Sequence, residues 1–163
     1  MEDAGGARVR HVDHGILAIG EDGAVEVRLA ALHAGLAQAL GRHRPDLVAI
    51  EDVFHARNSR SALVLGQARG VALLAAAQAG AQVRSFAPSV IKQAVTGTGR
   101  AEKDQVGRMV CVLLGIAVHG RLDATDALAA AICGLLRGRT PAAEEQPRRD
   151  WRAALARSLR GRR

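Results

Sequence analysis

Three carboxylates at separated points of the chain are the residues whose types and spacing are best suited to chemistry. Glu51 ends the apolar run L-V-A-I-E, and Asp123 and Asp126 lie three residues apart in L-D-A-T-D-A-L, at the start of a predicted helix. Acids at the tip of a buried strand and on one helix face are costly unless a positive charge neutralises them. A magnesium or manganese ion held by carboxylate oxygens would do so, and would support phosphoryl chemistry. The alternative is that Asp123 caps its helix and Glu51 begins a loop; the spacing alone leaves both open.

The elements that must position these acids follow an α/β pattern. Residues 9–19 predict a strand before a turn at 20–23. The short apolar stretch 47–50 predicts a strand buried in a parallel sheet, and residues 82–86 predict another strand. Leucines recur at helical spacing between the first two strands. The remaining predicted helices are a long one from Asn58 or Ser59 to about Ala79, a short one that begins at Pro88 and carries Lys92, and two over Ala101 to Leu114 and Asp123 to Arg137. Strands alternating with helices indicate parallel crossovers.

Two glycines mark a contact face on the long helix. Gly66 and Gly70 lie four residues apart and therefore on one side of it. Small residues at this spacing let a neighbouring element approach closely, so we interpret them as a packing signal rather than as a phosphate-binding loop.

Composition points to one domain with a core of small aliphatic side chains. The chain has 163 residues, of which 48% are hydrophobic and only 2% aromatic. No apolar run reaches the ~18 residues needed to span a membrane, and no apolar signal segment opens the sequence, so we expect a cytoplasmic protein. Cys111 and Cys133 lie among apolar neighbours in predicted helices, which favours buried free thiols over a disulfide or a zinc site.

Positive charge is concentrated at the C-terminus. Residues 137–163 hold nine Arg against three acids, a net charge of +6, whereas the whole chain carries +7 and the other 136 residues therefore only +1. We expect residues 1–137 to form the folded domain and 138–163 a basic, mobile tail. Because the basic character belongs mainly to this tail, the overall charge does not show that the folded body binds DNA.

Three ordered blocks resemble the RuvC family of Holliday-junction resolvases. They are I-E-D-V-F-H-A-R-N-S-R-S-A-L-V-L-G-Q-A-R-G-V-A from Ile50, G-T-G-R-A-E-K-D-Q-V from Gly97 and D-A-T-D-A-L-A from Asp123. The resemblance covers roughly Val9 to Leu136. It implies a ribonuclease-H-like fold, a mixed sheet flanked by helices. It also implies a homodimer that nicks two strands of a four-way DNA junction with magnesium as the cofactor and manganese as a substitute. The further partner that it implies is a branch-migration motor complex.

The same resemblance implies roles for individual residues. Glu51, Asp123 and Asp126 would hold the metal ions, and Lys92 and Lys103 would lie beside the scissile phosphate. Phe54 would stack on bases opened at the junction, and Arg57, Arg60 and Arg100 would contact DNA. Taken without the family, Lys103 is an exposed helix residue near Asp104 and Phe54 is equally well a core residue. Gly97 and Gly99 would let the backbone approach a phosphate.

The start of the chain departs from the family pattern. RuvC proteins open with a strand carrying a G-I-D-P-G-like motif, whose Asp is the first metal ligand, whereas this chain begins with residues that resemble the third strand and the approach to it. We therefore expect the first two strands to be missing. Asp13 in H-V-D-H-G resembles the motif only superficially, because the residues after it run into the first helix. The sequence thus predicts a junction endonuclease, with an inactive DNA-binding remnant and another ribonuclease-H-like nuclease as the alternatives.

Overall fold

The computed structural model of the chain describes residues 1–5, 8–20, 22–52, 59–116 and 122–138; the side chains of Arg60, Leu122 and Asp123 lie outside this description. Within these ranges the chain forms two two-stranded sheets and five helices. In chain order they are β1 (Glu2–Gly5), β2 (Arg8–Arg10), α1 (Val25–His43), β3 (Leu47–Glu51), α2 (Ser59–Gln78), β4 (Gln82–Phe86), α3 (Pro88–Thr96), α4 (Lys103–Leu114) and α5 (Leu122–Gly138).

The N-terminal hairpin differs from the sequence prediction. Strand β1 pairs antiparallel with β2, and Glu2 forms an ion pair with its cross-strand partner Arg10. The predicted strand over 9–19 is wrong, because regular strand structure ends at Arg10. Its apolar side chains are exposed, Val12 by 44% and Ile16 by 43%. Strand preference reflects a half-buried, paired surface, and this stretch pairs with no other strand in the described part of the chain.

Strands β3 and β4 run parallel, as predicted. The Gln82 N–H donates to the Asp46 carbonyl at 2.8 Å where both strands begin. The Asp52 N–H donates to the Phe86 carbonyl at 2.8 Å where both strands end. Hydrogen bonds joining start to start and end to end require a common direction. Parallel neighbours need a long crossover, and α2 supplies it.

The first of two compact units comprises Met1–Ala18, Ala49–Arg57 and Arg84–Thr140. Helices α3, α4 and α5 pack against one another in it around a shared apolar core. Phe86 packs against this core. The fully or largely buried members of the core are Ile91, Val95, Ala101, Val106, Val110, Leu128, Ala129, Ala130, Ile132 and Cys133.

The second unit comprises Ile19–Val48, Asn58–Val83 and Pro141–Arg163, and α1 packs against α2 within it. Helix α1 buries none of its side chains fully, and among the described side chains of α2 only Ala75 and Ala76 are buried. His33 Nε2 lies 2.8 Å from Gln78 Oε1 and links the two helices. In the described part of this unit, the two helices therefore meet through shallow contact rather than around a deep core.

Both cysteines are free thiols, as predicted, but only Cys133 is fully buried. Burial raises the pKa of the Cys133 thiol, so it stays protonated and donates to the Val90 carbonyl at 3.9 Å. Cys111 is partly exposed. The described helices include none that is both long enough and apolar enough to cross a membrane.

Candidate active site

Glu51 is held at the end of the parallel strand pair. It is the last residue of β3, and the next residue, Asp52, is tied to the end of β4 through the bond to the Phe86 carbonyl. The backbone on both sides of the Glu51 carboxylate is therefore fixed. Its side chain is partly buried.

Lys103 and Asp126 bring the starts of two helices together. Lys103 is the first residue of α4, and Asp126 lies in the second turn of α5. The Lys103 Nζ is 2.9 Å from Asp126 Oδ2. The two side chains are 51% and 41% exposed, respectively, so this ion pair lies at the surface and is open to solvent.

Three charged side chains act on the Glu51 carboxyl at this point. Burial raises the pKa of the Glu51 carboxyl, and the negative charge of Asp126 raises it further. Lys103 and Lys92 oppose both effects, because their positive charges stabilise the carboxylate. Two acids and two lysines that the chain separates by up to 75 residues thus form one electrostatic cluster, within which the two carboxylates repel each other.

The apolar core determines where these charges stand. Each helix that carries one of these charges has a core residue close to it. Ile91 precedes Lys92 in α3, Val106 follows Lys103 by one turn in α4, and Leu128 follows Asp126 by two residues in α5. At its far end α5 is held by Arg84, which donates to the Arg137 carbonyl at 3.3 Å. The Arg137 guanidinium in turn donates to Gln93 Oε1 of α3 at 3.4 Å. The helices that carry the charges are therefore fixed relative to one another.

The loop between α3 and α4 explains the two glycines of G-T-G-R. Gly97 ends α3 in the left-handed region, with φ of 80°. A Cβ on Gly99 would lie 3.1 Å from the Ser89 carbonyl, so only glycine fits without displacement. Thr98 Oγ1 accepts from the Arg100 N–H at 3.4 Å. Turn geometry and close packing account for both glycines, independently of any phosphate.

The donor chemistry of the cluster fits a hard divalent cation. Glu51 and Asp126 offer carboxylate oxygens, which suit magnesium or manganese rather than a thiolate-preferring metal. Among the described side chains no group of three His, Cys, Asp or Glu converges on one metal position. Asp123, one helical turn before Asp126, lies outside the described side chains. Two carboxylates are thus brought together in the described part of the chain.

The other predicted site residues stand as follows. Arg100 is exposed in the loop before α4, three residues from Lys103. Arg60 is the second residue of α2, and its side chain is not described. Phe54 and Arg57 lie outside the described residues, so their predicted roles stay predictions. The Lys103–Asp126 ion pair was not predicted: the sequence offered only the neighbouring Asp104 as a partner, and no local pattern reports the packing of α4 on α5.

A pair of histidines was also missed. His11 Nε2 lies 2.9 Å from His14 Nδ1, and the two rings meet edge to face with centroids 4.9 Å apart. They stand outside any helix, so a search for ligands at helical spacing does not find them. Both are separate from the acidic cluster in sequence.

Comparison with known sequences identifies relatives over most of the chain. The family model of the crossover junction endodeoxyribonuclease RuvC matches residues 1–134. The RuvC of Acidiphilium cryptum is 50% identical over 131 residues, which cover 80% of this chain and 78% of that protein. The RuvC of Myxococcus xanthus is 48% identical over 151 residues, 90% of this chain and 79% of that protein.

Solved structures agree with these sequence relatives. T. thermophilus RuvC in complex with a Holliday junction substrate superposes with a TM-score of 0.79 at 32% identity, covering 85% of this chain and 84% of that one. A second Thermus thermophilus RuvC structure gives a TM-score of 0.75 at the same identity. The predicted ribonuclease-H-like fold is thereby confirmed, and the chain belongs to the RuvC family of crossover junction endodeoxyribonucleases.

Proposed function

We propose that the chain is a structure-selective endonuclease that resolves four-way DNA junctions by paired nicking. The observation that carries the proposal is the convergence of Glu51, Asp126, Lys92 and Lys103 at one point of a RuvC fold. Acids that can hold a cation next to lysines that can hold a phosphate are what phosphodiester hydrolysis requires.

Glu51, Asp126 and Asp123 are the residues we assign to the metal. Magnesium is the ion we favour, with manganese as a substitute, and when bound it supplies positive charge to activate water and to stabilise the leaving oxygen. The carboxylates would determine the position of the bound ion, because β3 and α5 hold the residues that carry them. The positive charges of Lys92 and Lys103 would offset the negative charge of the scissile phosphate.

DNA contacts surround this cluster in the proposal. Arg57, Arg60 and Arg100 would contact phosphates, which contribute affinity and orientation without reading sequence. Phe54 would stack on a base opened at the junction, a contact worth ~1–3 kcal/mol. The basic tail after Gly138 would add non-specific attraction to DNA through its charge.

A second copy of the chain is the partner that paired nicking requires, and α2 offers a surface for it. Leu63, Gly66, Gly70 and Leu74 fall on one face of the helix, and the two leucines are 62% and 52% exposed. A Cβ added at Gly66 or Gly70 would meet nothing within 4 Å. Close helix–helix approach between two copies would use the groove that these glycines leave open. This supports a homodimer through α2.

The family resemblance also implies a branch-migration motor complex as a further partner, in the cytoplasm where chromosomal DNA recombines. Co-purification of such a motor with the tagged full chain, reduced when junction DNA is removed by nuclease, is the corresponding test.

The nuclease proposal is tested with a four-way junction and a linear duplex of the same length. With the family's G-I-D-P-G-like strand supplied at the N-terminus, we expect the purified protein to bind the junction more tightly than the duplex and to nick it symmetrically only when magnesium is present. Glu51→Gln and Asp123→Asn should lower the nicking rate by roughly 100-fold or more, at least ~2.7 kcal/mol of transition-state stabilisation, while junction binding in EDTA is preserved.

Asp104→Asn is the matched control, because it removes a carboxylate beside Lys103 that the proposal leaves out of the site. Nicking by Glu51→Gln at near wild-type rates would show that Glu51 is misassigned. Junction binding by the wild-type protein without any nicking would favour the alternative, a junction-binding protein without catalytic activity.

A further inference from the structure

The contact between Lys103 and Asp126 gives the lysine a position that phosphate binding alone does not explain. The ammonium is 2.9 Å from Asp126 Oδ2, a charge-assisted hydrogen-bond distance. It therefore engages the carboxylate that the proposed metal site would use. A lysine that served only the phosphate would have no need to approach this carboxylate.

A carboxylate oxygen cannot serve the ammonium and a divalent cation equally well. Magnesium demands near-ideal octahedral geometry at about 2.0–2.1 Å, and a neighbouring ammonium both competes for the oxygen and repels the ion. Binding of the cation at Asp126 and retention of the ion pair are therefore mutually antagonistic. The two states are linked by one side-chain movement.

The lysine is placed so that this movement costs little. Lys103 begins α4, and its side chain is 51% exposed. Solvent-exposed ion pairs contribute only about 0–1 kcal/mol, because water and salt screen them. The four-carbon stem can swing the ammonium away without disturbing Val106 or the rest of the helix.

We propose, building on the metal-dependent function above, that Lys103 occupies a cation position at Asp126 until a divalent ion binds and is then released toward the scissile phosphate. In the metal-free protein, the positive charge of the lysine thus offsets the repulsion between the two carboxylates. Once the ion pair is broken, the Lys103 ammonium would be free to contact the substrate phosphate, so that the phosphate contact would form only in a loaded site. In this role Lys103 positions Asp126 before it contacts DNA.

Lys92 provides an internal comparison. It also lowers the pKa of Glu51 through its charge, but among the described side chains it forms no ion pair with Asp126. Removing either ammonium takes one positive charge from the surroundings of Glu51. Only removal of the Lys103 ammonium also frees Asp126 Oδ2.

The test measures Mn²⁺ affinity of the full chain by electron paramagnetic resonance, without DNA. Lys103→Met should bind Mn²⁺ about threefold to fivefold more tightly than the wild type, the range expected for loss of an exposed competing ion pair. Lys92→Met should give a smaller gain. Lys103→Arg, which keeps a cation within reach of Asp126, should return the affinity to the wild-type value, whereas a merely structural role would not separate Arg from Met.

Thermal unfolding of each variant confirms that the fold is retained, and Lys103→Gln is a second neutral variant. If the wild type binds Mn²⁺ but Lys103→Met binds it no more tightly, or no more tightly than Lys92→Met, the competition is refuted while the nuclease proposal stands. If none of the proteins binds Mn²⁺, the metal site itself is wrong and the competition is refuted with it.

Discussion

The helices of the two compact units differ in what they bury. Helices α3, α4 and α5 enclose a core in which Val110, Ile132 and Cys133 are completely inaccessible to water. Helix α1 buries no side chain fully, and α2 leaves Leu63 and Leu74 more than half exposed. The first group holds itself together, whereas the second exposes apolar surface that its own contacts do not cover.

This difference separates two tasks. Lys92, Lys103 and Asp126 all stand on the three helices with the deep core, where a displacement of one helix would require repacking of the others. A site that depends on distances near 3 Å benefits from such support. The exposed face of α2 is suited to association instead, because isolated leucines beside open glycine positions can be covered by another helix.

The largest expected effect contrasts the two units directly. Ile132→Ala removes a side chain with no exposed surface and should lower the free energy of unfolding by about 2–5 kcal/mol. Leu63→Ala, at a position 62% exposed, should change it by no more than about 0.5 kcal/mol at concentrations where the chain is monomeric. Urea denaturation followed by circular dichroism measures both. Equal losses would contradict the assignment of the core to α3, α4 and α5.

The second expected effect concerns association. Gly66→Leu adds bulk at a position where a Cβ meets nothing within 4 Å in one chain, so folding should tolerate it. In a dimer packed through α2 the same side chain would be overpacked, at a cost of about 1–3 kcal/mol, and the dimer dissociation constant should rise about fivefold to 150-fold. Sedimentation equilibrium over a concentration series measures it.

Gly41→Leu is the matched control for this prediction, because Gly41 is also an exposed helical glycine with nothing within 4 Å of its Cβ position, but it lies on α1. A dimer that tolerates Gly66→Leu as well as Gly41→Leu would place the interface elsewhere.

The smallest expected effect concerns the tail. Arg137 belongs to the folded unit through its contacts with Arg84 and Gln93, so the deletion should begin at Arg139. If the tail contacts about four phosphates, the salt slope of duplex binding should fall by roughly 3.6, while the preference for junctions is kept. Affinities for junction and duplex at several salt concentrations measure this. Loss of the junction preference would mean that the tail reads DNA shape.

Local patterns predicted most of the regular elements. A short apolar run located β3, and leucines at helical spacing located α1. Both signals are local, since they depend on neighbours within one or two turns. The strand over 9–19 failed because its apolar residues have strand-like composition, but a strand exists only where another strand pairs with it.

The site was predictable in part. Resemblance to a family located Glu51, Lys92, Lys103 and Asp126, and the structure brings them together. The contact between Lys103 and Asp126 could not be predicted from residue types, because it depends on how α4 packs against α5 through Val106, Val110 and Leu128. The tight fit of Gly99 against Ser89 could not be predicted from the sequence either. This fit explains a glycine that had suggested a phosphate contact.

The placement of a divalent cation between Glu51 and Asp126 is tested most directly by Mn²⁺ titration of Glu51→Gln. The substitution keeps the shape of the side chain and removes the charge, so Mn²⁺ affinity should fall at least about tenfold, or ~1.4 kcal/mol. Asp104→Asn, which removes an equal charge from the first turn of α4, should leave the affinity unchanged. If the two variants bind Mn²⁺ equally well, the cation does not lie at Glu51 and this cluster is not the metal site of the nuclease.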